Sequence, residues 1–234
     1  MRVLFESSGD PRSSIYISYC VARLERHYAQ AVQETIRSTE TSIDFGVFSK
    51  SAVRFMATSH MTRRGPFQGV RLVRGKIHDP EGILNRIWDA IGKPILKLKR
   101  LLLNAGGLDR TRMLIEMPEP AIDRIVEDLR RMFKRLLPLC RGVKTPGLSA
   151  ASKILFSVFP EIALPVEKAC WKDLFHAVDY VDIIRLMRTE ISAWESRSRK
   201  RLNDCDPQGS ITLPVFYNAV VARIKREETN IGLH

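Results

Sequence analysis

Glu167 is the side chain whose neighbours best suit it to chemistry. In the run TPGLSAASKILFSVFPEIALPVEKACW, Thr145 to Trp171, it stands directly after Pro165-Val166 and opens a predicted helix. A helix start favours negative charge, because unpaired amides and the helix dipole both point there. A carboxylate held beside a sugar can stabilise oxocarbenium-like charge or steer a water during cleavage of an N-glycosidic bond, as paired carboxylates do for O-glycosides. The plain alternative is a first-turn acid with no chemistry.

The same run supplies a seat for an anion. Gly142 and Gly147 lie in the connection LCRGVKTPGLSAASKIL, which leads into a helix beginning near Ser149. Free backbone amides at such a hairpin, backed by a helix N-terminus, suit a phosphate. Ser149 and Ser152 would add hydroxyl donors, and Arg141, Lys144 and Lys153 would add charge. An ordinary turn between two core helices, with Gly147 present for a positive φ, fits the same residues.

These residues need elements to hold them, and helical periodicity dominates the chain. Apolar residues at Ile15, Tyr19, Ala22, Val32 and Ile36 fit one long surface helix over Ile15 to Ser38. Thr39 to Lys76 breaks that pattern and suits loops with a short β-ribbon. Asp79-Pro80 reads as a helix cap, and Ile83, Leu84, Ile87, Trp88 and Ile91 as a stripe stopped by Gly92 and Pro94. A second helix then fits Pro94 to Ala105, ended by Gly106-Gly107.

Pro120 to Leu137 carries the longest stripe: Ile122, Ile125, Val126, Leu129, Met132, Phe133, Leu136 and Leu137, ended by Pro138. Further helices fit Ala150 to Val158, Lys168 to His176, Val181 to Leu202 and Pro214 to Glu228, the last capped by Thr212. The expected architecture is mainly α, with an irregular or partly β segment in the N-terminal third.

Charge points to a polyanionic partner. The 38 Lys and Arg outnumber 26 Asp and Glu, for a net charge of +12 and a pI near 9.9. Cationic clusters occur at Arg63-Arg64, at Arg71, Arg74 and Lys76, at Lys97, Lys99 and Arg100, and at Arg197, Arg199, Lys200 and Arg201. Each suits either a nucleic-acid surface or a solvated face. Cys20, Cys140, Cys170 and Cys205 are scattered as in a cytoplasmic protein with reduced thiols, and the five His show no metal-ligand spacing. The N-terminus lacks the pattern of a secretory signal, and no stretch approaches the roughly 18 apolar residues of a membrane span.

The order of hairpin, helix and Pro-Val-acid turn, with Trp171 four positions after the acid, resembles the helix-hairpin-helix DNA glycosylase superfamily, nearest its 8-oxoguanine glycosylase branch. The resemblance covers Leu139 to about Trp171 and the helix before it. It implies a single two-lobed α fold over residues 1–234, with the hairpin and catalytic acid in residues 120–176. It also implies a monomer that binds double-stranded DNA, flips out a nucleotide and cuts its N-glycosidic bond, since that bond is inaccessible in a stacked duplex. The implied catalytic residue is Glu167. The implied DNA contacts are Gly142, Lys144, Gly147, Ser149, Ser152, Lys153 and Lys168. No cofactor is implied beyond a structural monovalent cation at the hairpin.

Two departures shape the expected chemistry. Glu167 stands where the family has Asp, so its oxygens shift by about an ångström, a scale that can cost a hundredfold in rate unless the pocket compensates. The family's Schiff-base Lys would fall on Leu148 or Ser149, and Lys144, Lys153 and Lys168 all lie elsewhere. Without that amine the expected mechanism is monofunctional, leaving an abasic site. Repair of a damaged base and attack on a modified base in foreign DNA share this chemistry. Phe45, Phe48, Phe55, Phe67, Trp88 and Trp194 are the aromatic candidates for a base pocket or for the core. The rival expectations are a non-catalytic DNA-binding module that keeps the hairpin, and a basic helical protein that binds RNA or a protein.

Overall fold

Residues 3–24, 26–40, 42–58, 60–63, 65–104, 108–142, 147–167, 175, 179–206 and 211–231 are described by a computed structural model. The chain is mainly helical, with nine α-helices and one two-stranded antiparallel hairpin among these residues. None of the described helices is long and apolar enough to cross a membrane.

Helix α6 (Glu119–Cys140) organises the interior. Its stripe buries Ile122, Ile125, Val126, Leu129, Met132, Phe133 and Leu136, against α4 (Ile83–Asn104), α7 (Leu148–Phe156) and α8 (Tyr180–Ser198). Full burial of such a side chain contributes about 1.5–3 kcal/mol, an upper figure because unfolded chains already bury some apolar surface. Pro138 does not end α6. It sits in the last turn, and the helix continues to Cys140.

Pro94 likewise fails to divide its helix in two. It lies inside α4, where it has no N–H for the Ala90 carbonyl. Arg135 Nη1 on α6 donates to that carbonyl instead, at 3.3 Å, across the α4–α6 packing. Gly92 is no helix stop either, since a Cβ there would come within 2.9 Å of the Trp88 ring. The expected cap at Asp79 is present, its carboxylate accepting from the amides of Ile83 at 3.0 Å and Leu84 at 2.9 Å.

The N-terminal third departs most from the sequence reading. Ile15 to Ser38 forms two helices, α1 (Ser14–Ala22) and α2 (Arg26–Ser38). They part company because α1 packs on the last helix, α9 (Leu213–Ile231), while α2 packs on α3 (Phe45–Thr58). The buried residues of α1 are Ile17 and Cys20, whereas Ile15 is 81% exposed. Helix α3 occupies a stretch expected to be loop. Asp44 caps it through the Val47 amide at 2.7 Å, and Phe48, Ala52, Val53, Phe55 and Met56 are buried.

The expected β-ribbon is present as β1 (Arg71–Val73) paired antiparallel with β2 (Lys76–His78), preceded by two short 3-10 turns. The short helix α5 (Met113–Glu116) packs on α8. Thr212 precedes α9, but its hydroxyl donates to the Pro160 carbonyl at 2.5 Å, where a capping hydroxyl would accept from an α9 amide. The helix expected over 168–176 and the Gly pair at 106–107 lie outside the described residues.

Candidate active site

The acid-bearing segment, residues 163–167, has no regular secondary structure and is held against α7 at Ser152. Backbone outside helix and sheet needs partners for its amides and carbonyls. Two buried hydroxyls supply them. Tyr180 Oη donates to the Leu164 carbonyl and accepts from the Leu164 amide, both at 2.9 Å, while its ring stacks on Phe133 at 4.6 Å. Ser152 Oγ accepts from the Val166 amide at 3.0 Å and shares its proton between the carbonyls of Ser149 at 3.0 Å and Val166 at 3.3 Å.

The segment is also anchored upstream. Glu161 is buried, and its Oε1 accepts from Lys99 Nζ at 2.9 Å and from Arg110 Nε. Arg110 continues to the Ile36 carbonyl at 2.6 Å and Thr39 Oγ1 at 2.8 Å. Lys99 therefore belongs to the interior and not to a DNA-facing cluster. Burial lowers its pKa, a shift that Glu161 opposes.

Glu167 emerges from this anchored run with its side chain 61% exposed. Its Oε1 is bonded by Nζ of Lys153, a residue of α7 that is itself buried. Lys153 and Ser152 thus hold the acid segment instead of reaching outward as expected. Gly147 has φ +80 at the start of α7, and a Cβ there would lie 2.9 Å from backbone atoms of Cys140 and Arg141. Glycine is needed both for the turn and for this close approach.

Gly142 is half-buried just beyond α6, and the Ser149 hydroxyl is enclosed without a partner among the described residues. Lys144, Lys168 and Trp171 lie outside the described residues, as does the turn 143–146 where a monovalent cation would sit.

Glu167 lines a cleft of about 330 Å3 whose other walls come from α1 and the residues just after it, α2, Thr58 at the end of α3, and α9. Tyr28 of α2 is the most informative neighbour. Its hydroxyl accepts from Asn218 Nδ2 at 2.9 Å, which leaves its own proton for the cleft. Burial pushes the phenol pKa up, the Asn218 bond opposes this, and the nearby Glu167 charge adds to it, so Tyr28 is a neutral donor at physiological pH. Arg23, Arg223 and Arg226 also line the cleft, with the guanidiniums of Arg23 and Arg223 5.2 and 5.3 Å from the Tyr19 ring centroid. Cys20 lies at the wall, and burial raises its thiol pKa to about 11, so it stays protonated and a poor nucleophile.

No protein-family model, curated protein or solved structure matches this chain.

Of the two places open to the aromatic residues, a base pocket or the core, they take the core. Phe48, Phe55, Phe67 and Trp194 are buried, and Phe45 and Trp88 pack against them. Tyr19 and Tyr28, which do line the cleft, carry no motif of their own. Tyr28 is held at the cleft by Asn218, 190 residues away in the chain. Among the described residues no group of three or more His, Cys, Asp and Glu side chains is placed to ligate a metal.

Proposed function

We propose that the protein is a monofunctional DNA glycosylase that hydrolyses the N-glycosidic bond of a flipped nucleotide, with Glu167 as its catalytic carboxylate. The observation that carries this reading is Glu167 itself. It lines a concave cleft edged by arginines, on backbone pinned at Leu164 and Val166 and with its carboxylate held by Lys153. A binding module would gain nothing from an acid there, because a carboxylate in a basic cleft repels phosphate. An enzyme that develops positive charge on a sugar gains a stabiliser.

In this mechanism the C1′–N bond breaks and the base leaves with the electron pair. Glu167 stabilises the sugar cation, then accepts a proton from the water whose oxygen bonds C1′. Tyr28 Oη donates a hydrogen bond to the departing base, which takes its proton from solvent. Lys153 is a positioning residue, since its amine is buried and directed at Glu167. The cleft lies among α1, α2, α9 and the acid segment.

Incubation with a panel of duplexes carrying different altered bases tests the proposal. The expected product is an alkali-labile site at the altered base, with an intact strand before alkali. Absence of such sites across damaged and modified bases would sink it.

A further inference from the structure

The β1–β2 hairpin carries a surface that packing does not explain. Its register pairs Arg71 with His78, Leu72 with Ile77 and Val73 with Lys76. Leu72 and Ile77 share the face that packs on the core, which leaves Arg71, Val73, Lys76 and His78 exposed on the other. Arg74 and Gly75 form the tip with φ of +49 and +76. A two-residue turn with both residues left-handed favours Asn-Gly, so arginine at the first position is conformationally unfavourable and needs a reason outside the fold. Arg71, Arg74 and Lys76 take part in no ion pair among the described residues. The hairpin itself contains no acidic residue.

Beside the hairpin lies a second groove, of about 390 Å3, lined by His27, Gln30, Glu34, Arg54 and Arg71 among others, with Arg54 paired to Glu34 at 3.1 Å. Thr58 lines both this groove and the Glu167 cleft. The two concavities are therefore neighbours, leading from the acid past Thr58 to the root of the basic hairpin.

We infer that the β1–β2 hairpin is an arm that grips the phosphodiester backbone of duplex DNA beside the nucleotide seated in the Glu167 cleft. Arg71, Arg74 and Lys76 bind phosphates, and Val73, 46% exposed on the same face, lies against the sugar edge of the minor groove. The inference rests on the DNA reading of the cleft and adds how the flanking duplex is held.

The test uses the full chain carrying Arg71→Ser, Arg74→Gly and Lys76→Ser together. Glycine at position 74 relieves the left-handed strain, so the variant is expected to melt no lower than the parent protein. Affinity for a fluorescently labelled duplex is measured over a salt series, with Arg131→Ser/Arg185→Ser as a control because both guanidiniums face carboxylates. The expected loss is about 2 to 3 in the slope of log affinity against log salt, about 0.9 per phosphate contact, with the control unchanged. An unchanged slope in the triple variant overturns the inference even if the protein releases bases. A reduced slope without base release by the parent protein upholds the arm and rejects the glycosylase reading. Failure of the parent protein to bind duplex DNA, or tighter hairpin-dependent binding to RNA or to an acidic protein, overturns the inference.

Discussion

Nζ of Lys153, on the buried face of α7, bonds Oε1 of Glu167, whose side chain is 61% exposed at the cleft. The buried partner fixes the position of the exposed one. Three supports converge on this carboxylate: Lys153 on its oxygen, Ser152 on the residue before it and Tyr180 two residues further back.

Lys153→Met separates positioning from folding. A thioether fills the buried space, and Glu167 remains solvated, so the melting temperature should change by only a few degrees. Base release should fall about tenfold or more in kcat, with little change in KM for the duplex. The amine does not act as a nucleophile in this account, so borohydride should trap no protein–DNA adduct. A trapped adduct that Lys153→Met removes would turn the mechanism into a lyase.

The two hydroxyl supports are separable by thermal unfolding. Tyr180→Phe keeps the stack on Phe133 but strips both bonds from Leu164. Ser152→Ala leaves the Val166 amide without its partner. Each orphaned backbone group should cost about 1–3 kcal/mol. Losses below about 0.5 kcal/mol in both would show that the segment does not depend on them.

Glu161→Gln should be more damaging than either. It removes the charge shared by Lys99, which is buried, and Arg110. Breaking a buried pair from one side costs about 3–5 kcal/mol, read as a lower denaturant midpoint. Lys99→Met in the same background should recover part of that loss.

Stability should decline at alkaline pH. Burial raises the pKa values of Tyr28, Tyr180 and Tyr217 above their ordinary 10.0. Below pH 10 these phenols are neutral in both states and contribute no pH dependence. Above it the unfolded chain releases protons that the folded chain retains, so the folded state loses up to about 1.4 kcal/mol per pH unit for each fully buried phenol. Lys99 works in the opposite direction below its ordinary 10.5, because its lowered folded pKa makes stability rise with pH, but it is one group against these three phenols and the thiols of Cys20, Cys140 and Cys205, whose pKa values burial also raises. A melting temperature that held steady from pH 9 to 11 would contradict the burial of these phenols.

The elements legible in the sequence are those whose signal is local. The α6 stripe is readable because eight apolar positions keep helical spacing, and the Pro-Val-Glu run marks the acid by itself. Helix α3 is obscured because Ser49 and Ser51 occupy buried positions, which breaks the apolar pattern. Their hydroxyls are satisfied by the Phe45 carbonyl and by Ser38. Pro94 misleads for a similar reason, since the group that offsets its missing N–H, Arg135, lies on another helix. The cleft is least legible. Tyr28 meets Asn218, and Lys99 meets Glu161, only after the chain has folded.

The most direct measurement is single-turnover base release by Glu167→Gln on a duplex that the parent protein processes. Affinity for the same duplex is followed in parallel. Glutamine keeps the size of the side chain and removes the charge that would stabilise the sugar cation. The expected rate is lower by about a hundredfold or more, with duplex affinity retained. Base release at the parent rate by Glu167→Gln would rule out Glu167 as the catalytic carboxylate.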